Sequence, residues 1–563
     1  MKSFNKYIAA ALAGLALASC DDFLTVTPED KFVQDNYYTS AEAIRDNTKV
    51  IYSATIWRDF MMNFHWKLDE LVGDMYYTYA AEGQWYFGTY TDVNQYIKEG
   101  WNGLYNVISQ CNSIIEDMPG YVSGVPQEDV DRAIAEARAI RAYCYWYIAE
   151  CWHDAPIITH NSDNITNNNF NTPRNPQADI YRFALEDADF AVNTLPETDA
   201  DAFRATVATA RAIRARILLT MASHSDYGYD RADLYRRAAA DALAVIDSRD
   251  NVKDIPFATL FDATTNNGPE SLLAIQCGTL GYGTGNPKTI AWGRSSVIAD
   301  GCWGSGKGPT ISLQSMYDQL DQRRKWTYMA NGDFYPNLNT AAGGYTYYIQ
   351  SYEDGSVLES RNEMNSHIKK YILGRDADGN GTTSNNQDGS NNVYLVRLAD
   401  MYLIYAEAIM GTANSTTDAN ALDKINSVRA RAGLAGFTSL TYTDLLKERR
   451  REFAFESINW FDILRLRYRE GDATALEFLN SGYGSGYNRS CMYVFKDWSM
   501  NEEAYANLES TYKIAASVDD GGMYDPIVLT ASSFVIPLPA SATTSAPALL
   551  GDIVPFYTSN TEK

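Results

Sequence analysis

Three short runs place tryptophan among glycines: "GQWYFGTY" at residues 83–90, "IAWGRSS" at 290–296 and "DGCWGSG" at 300–306. Indole and phenol rings on such segments suit one chemistry in particular. A flat aromatic face stacks on the apolar C–H face of a sugar ring, while nearby amides, carboxylates or guanidinium groups take its hydroxyls. Aromatic residues make up 13% of the chain and tyrosine alone numbers 40, more than a core requires, which points the same way.

Other chemistries fit less well. "GCWGSGKG" at 301–308 matches seven of the eight positions of a phosphate-binding loop, but Gly308 stands where a Ser or Thr hydroxyl would hold magnesium, and Pro309 follows. The five histidines (His65, His153, His160, His224, His367) form no short metal-ligand spacing, and neither HExxH nor GxSxG occurs. "DADGNG" places Asp376, Asp378 and Asn380 at positions one, three and five of an EF-hand-like loop, with Gly381 at the turn. Position twelve is Gln387 rather than a bidentate Glu, so a plain Asp/Gly/Asn turn is favoured over calcium held by Asp376, Asp378 and Asn380. Carboxylates are numerous, and only their separation in space would reveal a glycosidase pair. A net charge of −24 disfavours a nucleic-acid partner, which calls for excess Lys and Arg.

At the N-terminus, Lys2 and Lys6 precede an apolar run too short to span a bilayer, ending in "LASC". Residues 1–19 read as an export signal. The ending looks like a bacterial lipobox, which implies acylation of Cys20 and a lipid anchor for the mature chain. Six further cysteines permit disulfides, yet Cys144 and Cys151 are seven apart on one helix, roughly 10 Å and beyond bridging distance, so they read as buried free thiols.

These groups must be carried by helices. Ala133, Ala137, Ile140, Cys144, Tyr147 and Cys151 recur at alternating steps of four and three, as do Leu395, Leu398, Tyr402, Tyr405 and Ile409. Further helices are expected near 41–56, 101–117, 177–194, 205–222, 231–248, 419–431 and 442–469, many with alanine on the stripe. The expected fold is mainly α, a tetratricopeptide-like array of helix pairs with an irregular period, interrupted by long loop-rich insertions that form a binding face. In 446–469, Leu446, Phe453, Trp460 and Leu464 share the inward face, and Glu448, Glu452 and Glu456 are spaced to pair with Arg449–Arg451 along the helix. Trp57, Trp101, Trp146, Trp152 and Trp460 fall in helical patterns and are expected in the core.

Taken together, "CDDFLTVTPED", "EARAIRAYCYWYIAECWHDAPII", "TPRNPQADIYRFALEDADFAVNTLP", "VYLVRLADMYLIYAEAIM", "ALDKINSVRARAGL", "LLKERRREFAFESINWFDILRLR" and "FVIPLPASATTSAPALLGDIVPFY" resemble the SusD/RagB family of Bacteroidetes surface lipoproteins. The resemblance spans nearly the whole mature chain. It implies a signal peptide at 1–19, a lipidated tether at 20–40, an N-terminal helical region at 41–250 and a C-terminal region at 251–563, loop-rich at 271–392, helical at 393–470 and loop-rich again at 471–563. It implies binding without hydrolysis, at the outer face of the outer membrane, and delivery of oligosaccharide to a SusC-like TonB-dependent transporter. In such families the ligand aromatics come from loops between and after the first helices. That makes Trp85, Tyr86, Trp292 and Trp303 the expected stacking platforms, with Asp74, Asn94 and Arg294 as polar contacts. The rival readings are peptide cargo on the same fold, a surface glycoside hydrolase, and a structural subunit of the transporter complex.

Overall fold

The computed structural model describes residues 37–557 apart from 162–169, 305, 319, 331–332, 348–365, 384–386, 496–511 and 516–525. The expected export signal, Cys20 and most of the expected tether therefore lie outside the described residues.

The N-terminal half is built from helices: α1 (Ala41–Thr48), α2 (Ala54–Asp59), α3 (Lys67–Val72), α4 (Ala80–Phe87), α5 (Gln95–Asn112), α6 (Gln127–Trp152), α7 (Gln177–Thr194), α8 (Val207–Ser223) and α9 (Arg231–Asp247). After a short helix α10 (Lys288–Trp292) and a stretch of loops come α11 (Leu398–Met410), α12 (Ala419–Arg431), α13 (Tyr442–Phe453), α14 (Asn459–Glu470) and α15 (Asp472–Asn480). Neighbours pack in succession: α6 on α7, α7 on α8, α8 on α9, α9 on α11 and α11 on α12. This is the helix-pair stacking of a repeat scaffold. Alanines make it possible. Ala208, Ala210, Ala212, Ala215 and Ala222 are all buried, so α8 is enclosed around most of its circumference, with Arg211 and Arg214 alone partly exposed.

Periodicity placed α5–α9, α11 and α12, and is corrected elsewhere. Trp85 and Trp292, expected on loops, lie in α4 and α10. Leu395 lies in strand Val393–Arg397 rather than on a helical stripe, and Ile409 is exposed. The 41–56 run breaks at a 3₁₀ turn, Lys49–Tyr52. The 442–469 run is not one helix, because Phe455 and Ser457 adopt positive φ (66° and 61°) between α13 and α14. The kink is stabilised from far away. Asp69 of α3 accepts hydrogen bonds from both the backbone N–H and the hydroxyl of Ser457, each at 2.8 Å.

The glutamates of α13 also find partners across the fold. Arg397, at the end of strand Val393–Arg397, meets Glu270 (2.8 Å), Glu452 (2.8 Å) and Glu456 (2.7 Å). Arg323 meets Asp321 (2.8 Å), Glu448 (2.8 Å) and Glu452 (2.9 Å), and Arg431 also pairs with Glu270 and Glu452. Every one of these groups is buried. Only Arg451–Glu448 pairs along the helix as expected from spacing. The face is a buried ionic hub, not a solvated one. Ion pairs of this kind add little net stability over apolar packing, but each partner demands the other, which fixes how α13 sits on the strand.

Candidate functional site

Trp85, Tyr86 and Trp292 are not available to a ligand: all three are 0% exposed. Trp85 stacks on Tyr90 at 4.5 Å and meets Phe64 edge-on, while the Tyr86 hydroxyl donates to the Ser490 carbonyl. Trp292 lies among Trp66, Tyr371 and Phe455. The expected platform role is corrected for these three rings, and the glycines explain the error. Gly83 is helical and sits against the Thr78 backbone, where a Cβ would come within 2.7 Å. Gly293 would bring a Cβ within 2.8 Å of the Cys302 Cβ. Both glycines permit close packing rather than a loop.

Asp74 and Asn94 are corrected as ligand contacts too. Asp74 is buried, with one carboxylate oxygen 2.7 Å from Arg450 Nε and the other accepting from Asn459 Nδ2 at 2.6 Å. Asn94 is the N-cap of α5, accepting from the Tyr96 N–H at 3.0 Å and from Trp85 Nε1 at 3.3 Å.

Trp303 and Arg294 remain, and the structure brings them to one place. Strand Met75–Tyr76 pairs antiparallel with Gly308–Pro309, Tyr76 opposite Gly308. Residues 77–79 and the segment bearing Trp303 and Lys307 therefore leave the ladder from the same end. Arg294 binds them together: its Nη2 donates to the Lys307 carbonyl (2.6 Å) and the Tyr76 hydroxyl (3.0 Å), and its Nη1 to the Tyr347 hydroxyl (3.3 Å). Gly308 is required here, since a Cβ would meet the Tyr76 hydroxyl at 2.7 Å and Arg294 Nη2 at 2.8 Å. That accounts for the glycine at the eighth position of the phosphate-loop match. The Trp303 N–H is fixed to the Ile290 carbonyl (3.1 Å), yet its residue is 58% exposed. Across the ladder Tyr79 is 49% exposed and lies 5.6 Å from the half-buried ring of Tyr77. Lys307 Nζ covers Tyr77 at 3.6 Å from the ring centroid.

The result is a surface with open indole and phenol faces on hydrogen-bonded supports. Tyr77, Tyr79, Lys307 and Tyr347 were not singled out by sequence. The available signal was the run "YYTY" at 76–79, three tyrosines within four residues of a chain whose tyrosines exceed what a core requires.

Asp376, Asp378 and Asn380 act as turn residues. Asp376 accepts from the Thr383 hydroxyl (3.1 Å), Asp378 from the N–H groups of Thr340 (2.8 Å) and Arg375 (2.9 Å), and Asn380 Nδ2 donates to the carbonyls of Asn337 (2.6 Å) and Leu373 (2.9 Å). Both Asp378 oxygens and one Asp376 oxygen are thus held within the turn, and among the described residues no group of three His, Cys, Asp or Glu side chains is arranged to hold a metal ion. The thiols of Cys111, Cys144, Cys151, Cys277, Cys302 and Cys491 are unbridged. A cleft of about 280 Å³ lies elsewhere, lined by Ile255, Pro256, Leu260, Glu270 and Tyr394, and includes none of the exposed rings. Its buried carboxylate, Glu270, is already held by Arg397 and Arg431.

Residues 305–554 match the SusD family, and residues 22–219 match a family described as starch-binding and associating with the outer membrane. A SusD-like protein of Bacteroides ovatus is 30% identical over 564 residues, covering 98% of each chain. The chain belongs to the SusD family. Among SusD-family relatives, SusD-like protein P2 of Formosa agariphila is 25% identical over 405 residues, 67% of this chain and 73% of its own. A crystal structure described with xylogluco-oligosaccharide superposes with a TM-score of 0.79 at 26% identity, covering 92% of this chain and 99% of that one. A laminarin-binding SusD-like protein shares the fold, with a TM-score of 0.63 at 18% identity over 91% of this chain and 99% of its own.

Proposed function

We propose that this SusD-family chain captures an oligosaccharide on the surface formed by Trp303, Tyr79 and Tyr77, without hydrolysing it, and passes it to a SusC-like TonB-dependent transporter. The observation that carries this reading is the open indole of Trp303 on a segment fixed by backbone and Arg294 hydrogen bonds. An exposed tryptophan on an ordered support loses solvent contact when a sugar stacks on it and costs no loop ordering at that moment. The relatives described with xylogluco-oligosaccharide and as laminarin-binding support a neutral glycan, as does a charge of −24, which repels polyanions. Acylated Cys20 would hold the chain at the outer face of the outer membrane, consistent with the outer-membrane association of the family matched at residues 22–219. Several weak stacking contacts along one polymer add through effective concentration, so affinity rises with oligomer length.

The test is calorimetry of the mature protein against xylogluco-, laminari- and malto-oligosaccharides of increasing length. Binding that strengthens with length and leaves the sugar intact supports the reading. Release of reducing ends, or no binding to any member of the panel, refutes it. A Cys20→Ala variant that still partitions with membranes would refute the anchor.

A further inference from the structure

One carboxylate beneath the aromatic surface touches two segments besides its own. Glu82 lies in the first turn of α4, three residues after Tyr79. Its Oε1 accepts from Trp66 Nε1 at 2.8 Å and from Lys67 Nζ at 2.6 Å, at the start of α3, and it also lies 3.1 Å from Lys307 Nζ. Lys307 follows Trp303 by four residues, and its ammonium is the one that covers the Tyr77 ring. Lys67, whose ammonium also covers the rings of Trp66 (4.5 Å) and Tyr96 (4.4 Å), is fully buried, and Lys307 is nearly so. Two buried ammonium groups on different segments thus converge on a single acceptor. Glu70 lies beside them. Burial and the charge of Glu82 push its carboxyl far above the usual range, while the ammonium groups of Lys307 and Lys67 overcome burial and hold Glu82 well below it. Glu82 is the carboxylate on which the two ammonium groups converge.

We propose that Glu82 is the positioning residue of the aromatic surface, tying the Tyr77–Tyr79 segment to the one that bears Trp303 and so presetting the ring spacing before a ligand arrives. The arrangement is the buried, hydrogen-bonded support that a precise binding constellation needs. A charge-assisted link of this kind loses its strength when the carboxylate becomes a neutral amide, although shape and one acceptor oxygen are kept. The inference about ligand rests on the proposed role of Trp303 and Tyr79; the link between the two segments does not.

The experiment uses the mature chain and two variants, Glu82→Gln and Lys307→Met, the second releasing the Trp303 side while leaving Glu82 to Lys67. Hydrogen exchange by mass spectrometry reads peptides covering 75–82 and 301–310. Calorimetry uses whichever of the three oligosaccharide series the wild type binds, with Trp303→Ala as a background. The expected result is exchange at least tenfold faster in both peptides but not in α6–α9, about tenfold weaker binding, and a much smaller further loss when Glu82→Gln is added to Trp303→Ala. Unchanged exchange in both peptides, or a rise spread equally over α6–α9, overturns the proposal. If both peptides loosen while Trp303→Ala has no effect on binding, the link stands and the glycan role of the surface falls.

Discussion

Asp74 separates a binding role from a structural one most sharply. Its carboxylate and the Arg450 guanidinium are both fully buried, 2.7 Å apart. Arg450 has further acceptors, the Gly73 carbonyl at 2.8 Å and the Ser312 hydroxyl at 3.1 Å, but these are neutral. In Asp74→Ala the guanidinium stays buried with no counter-charge, and Asn459 Nδ2 loses its 2.6 Å acceptor. Breaking a buried ion pair by removing one partner costs about 3–5 kcal/mol. Orphaning the amide adds about 1–3 kcal/mol, with overlap between the two because both groups relax into the same space. Asp74→Ala should therefore lower stability by about 4 kcal/mol or more in equilibrium urea unfolding. Asp74→Ala/Arg450→Met, which removes both charges, should recover a large part of that loss. Oligosaccharide binding by the folded variant should match wild type, because Asp74 faces the interior. A loss below about 0.5 kcal/mol, the range of surface substitutions, would refute the buried-pair reasoning.

Trp292→Ala should behave similarly by another route: emptying a buried indole site costs about 3–5 kcal/mol, and thermal melting should fall while binding by the folded fraction persists. Glu150, whose carboxyl burial lifts to about 7 from 4.5, makes stability fall as pH rises between those values, since the folded state there holds a proton the unfolded state has lost. Replacing it with Gln, which still accepts from Tyr181, should stabilise the protein at pH 8 by roughly 3 kcal/mol relative to the effect at pH 4, read from urea midpoints at both pH values. Asp378→Ala should destabilise the turn at 374–380, and calcium or a chelator should leave the melting of the wild type unmoved; a calcium-dependent melting shift would restore the metal reading.

The helical scaffold was legible because its signal is local. Ala133, Ala137, Ile140, Cys144, Tyr147 and Cys151 declare one face of α6 by spacing alone, and all are buried. The same spacing placed Trp57, Trp101, Trp146, Trp152 and Trp460 in the core, where they are. What failed depends on partners distant in sequence. The break after α13 needs Asp69, 388 residues away from Ser457, and Glu452 meets Arg323 and Arg397 rather than its helical neighbours. Nothing within "GQWYFGTY" says that Gly83 packs on Thr78 and carries Trp85 inward. Only Trp303 and Arg294 of the seven expected contact residues reach the exposed surface region, and the tyrosines that join them are recognisable only once the ladder Tyr76–Gly308 sets both segments side by side.

The most direct test of the central claim is calorimetric titration of the Tyr79→Ala/Trp303→Ala variant with the oligosaccharide the wild type binds best. Each stacked ring contributes about 0.5–1.5 kcal/mol beyond its buried area, so losing both should weaken affinity about 5- to 150-fold with melting unchanged. Wild-type affinity in that variant, at unaltered stability, would contradict the account.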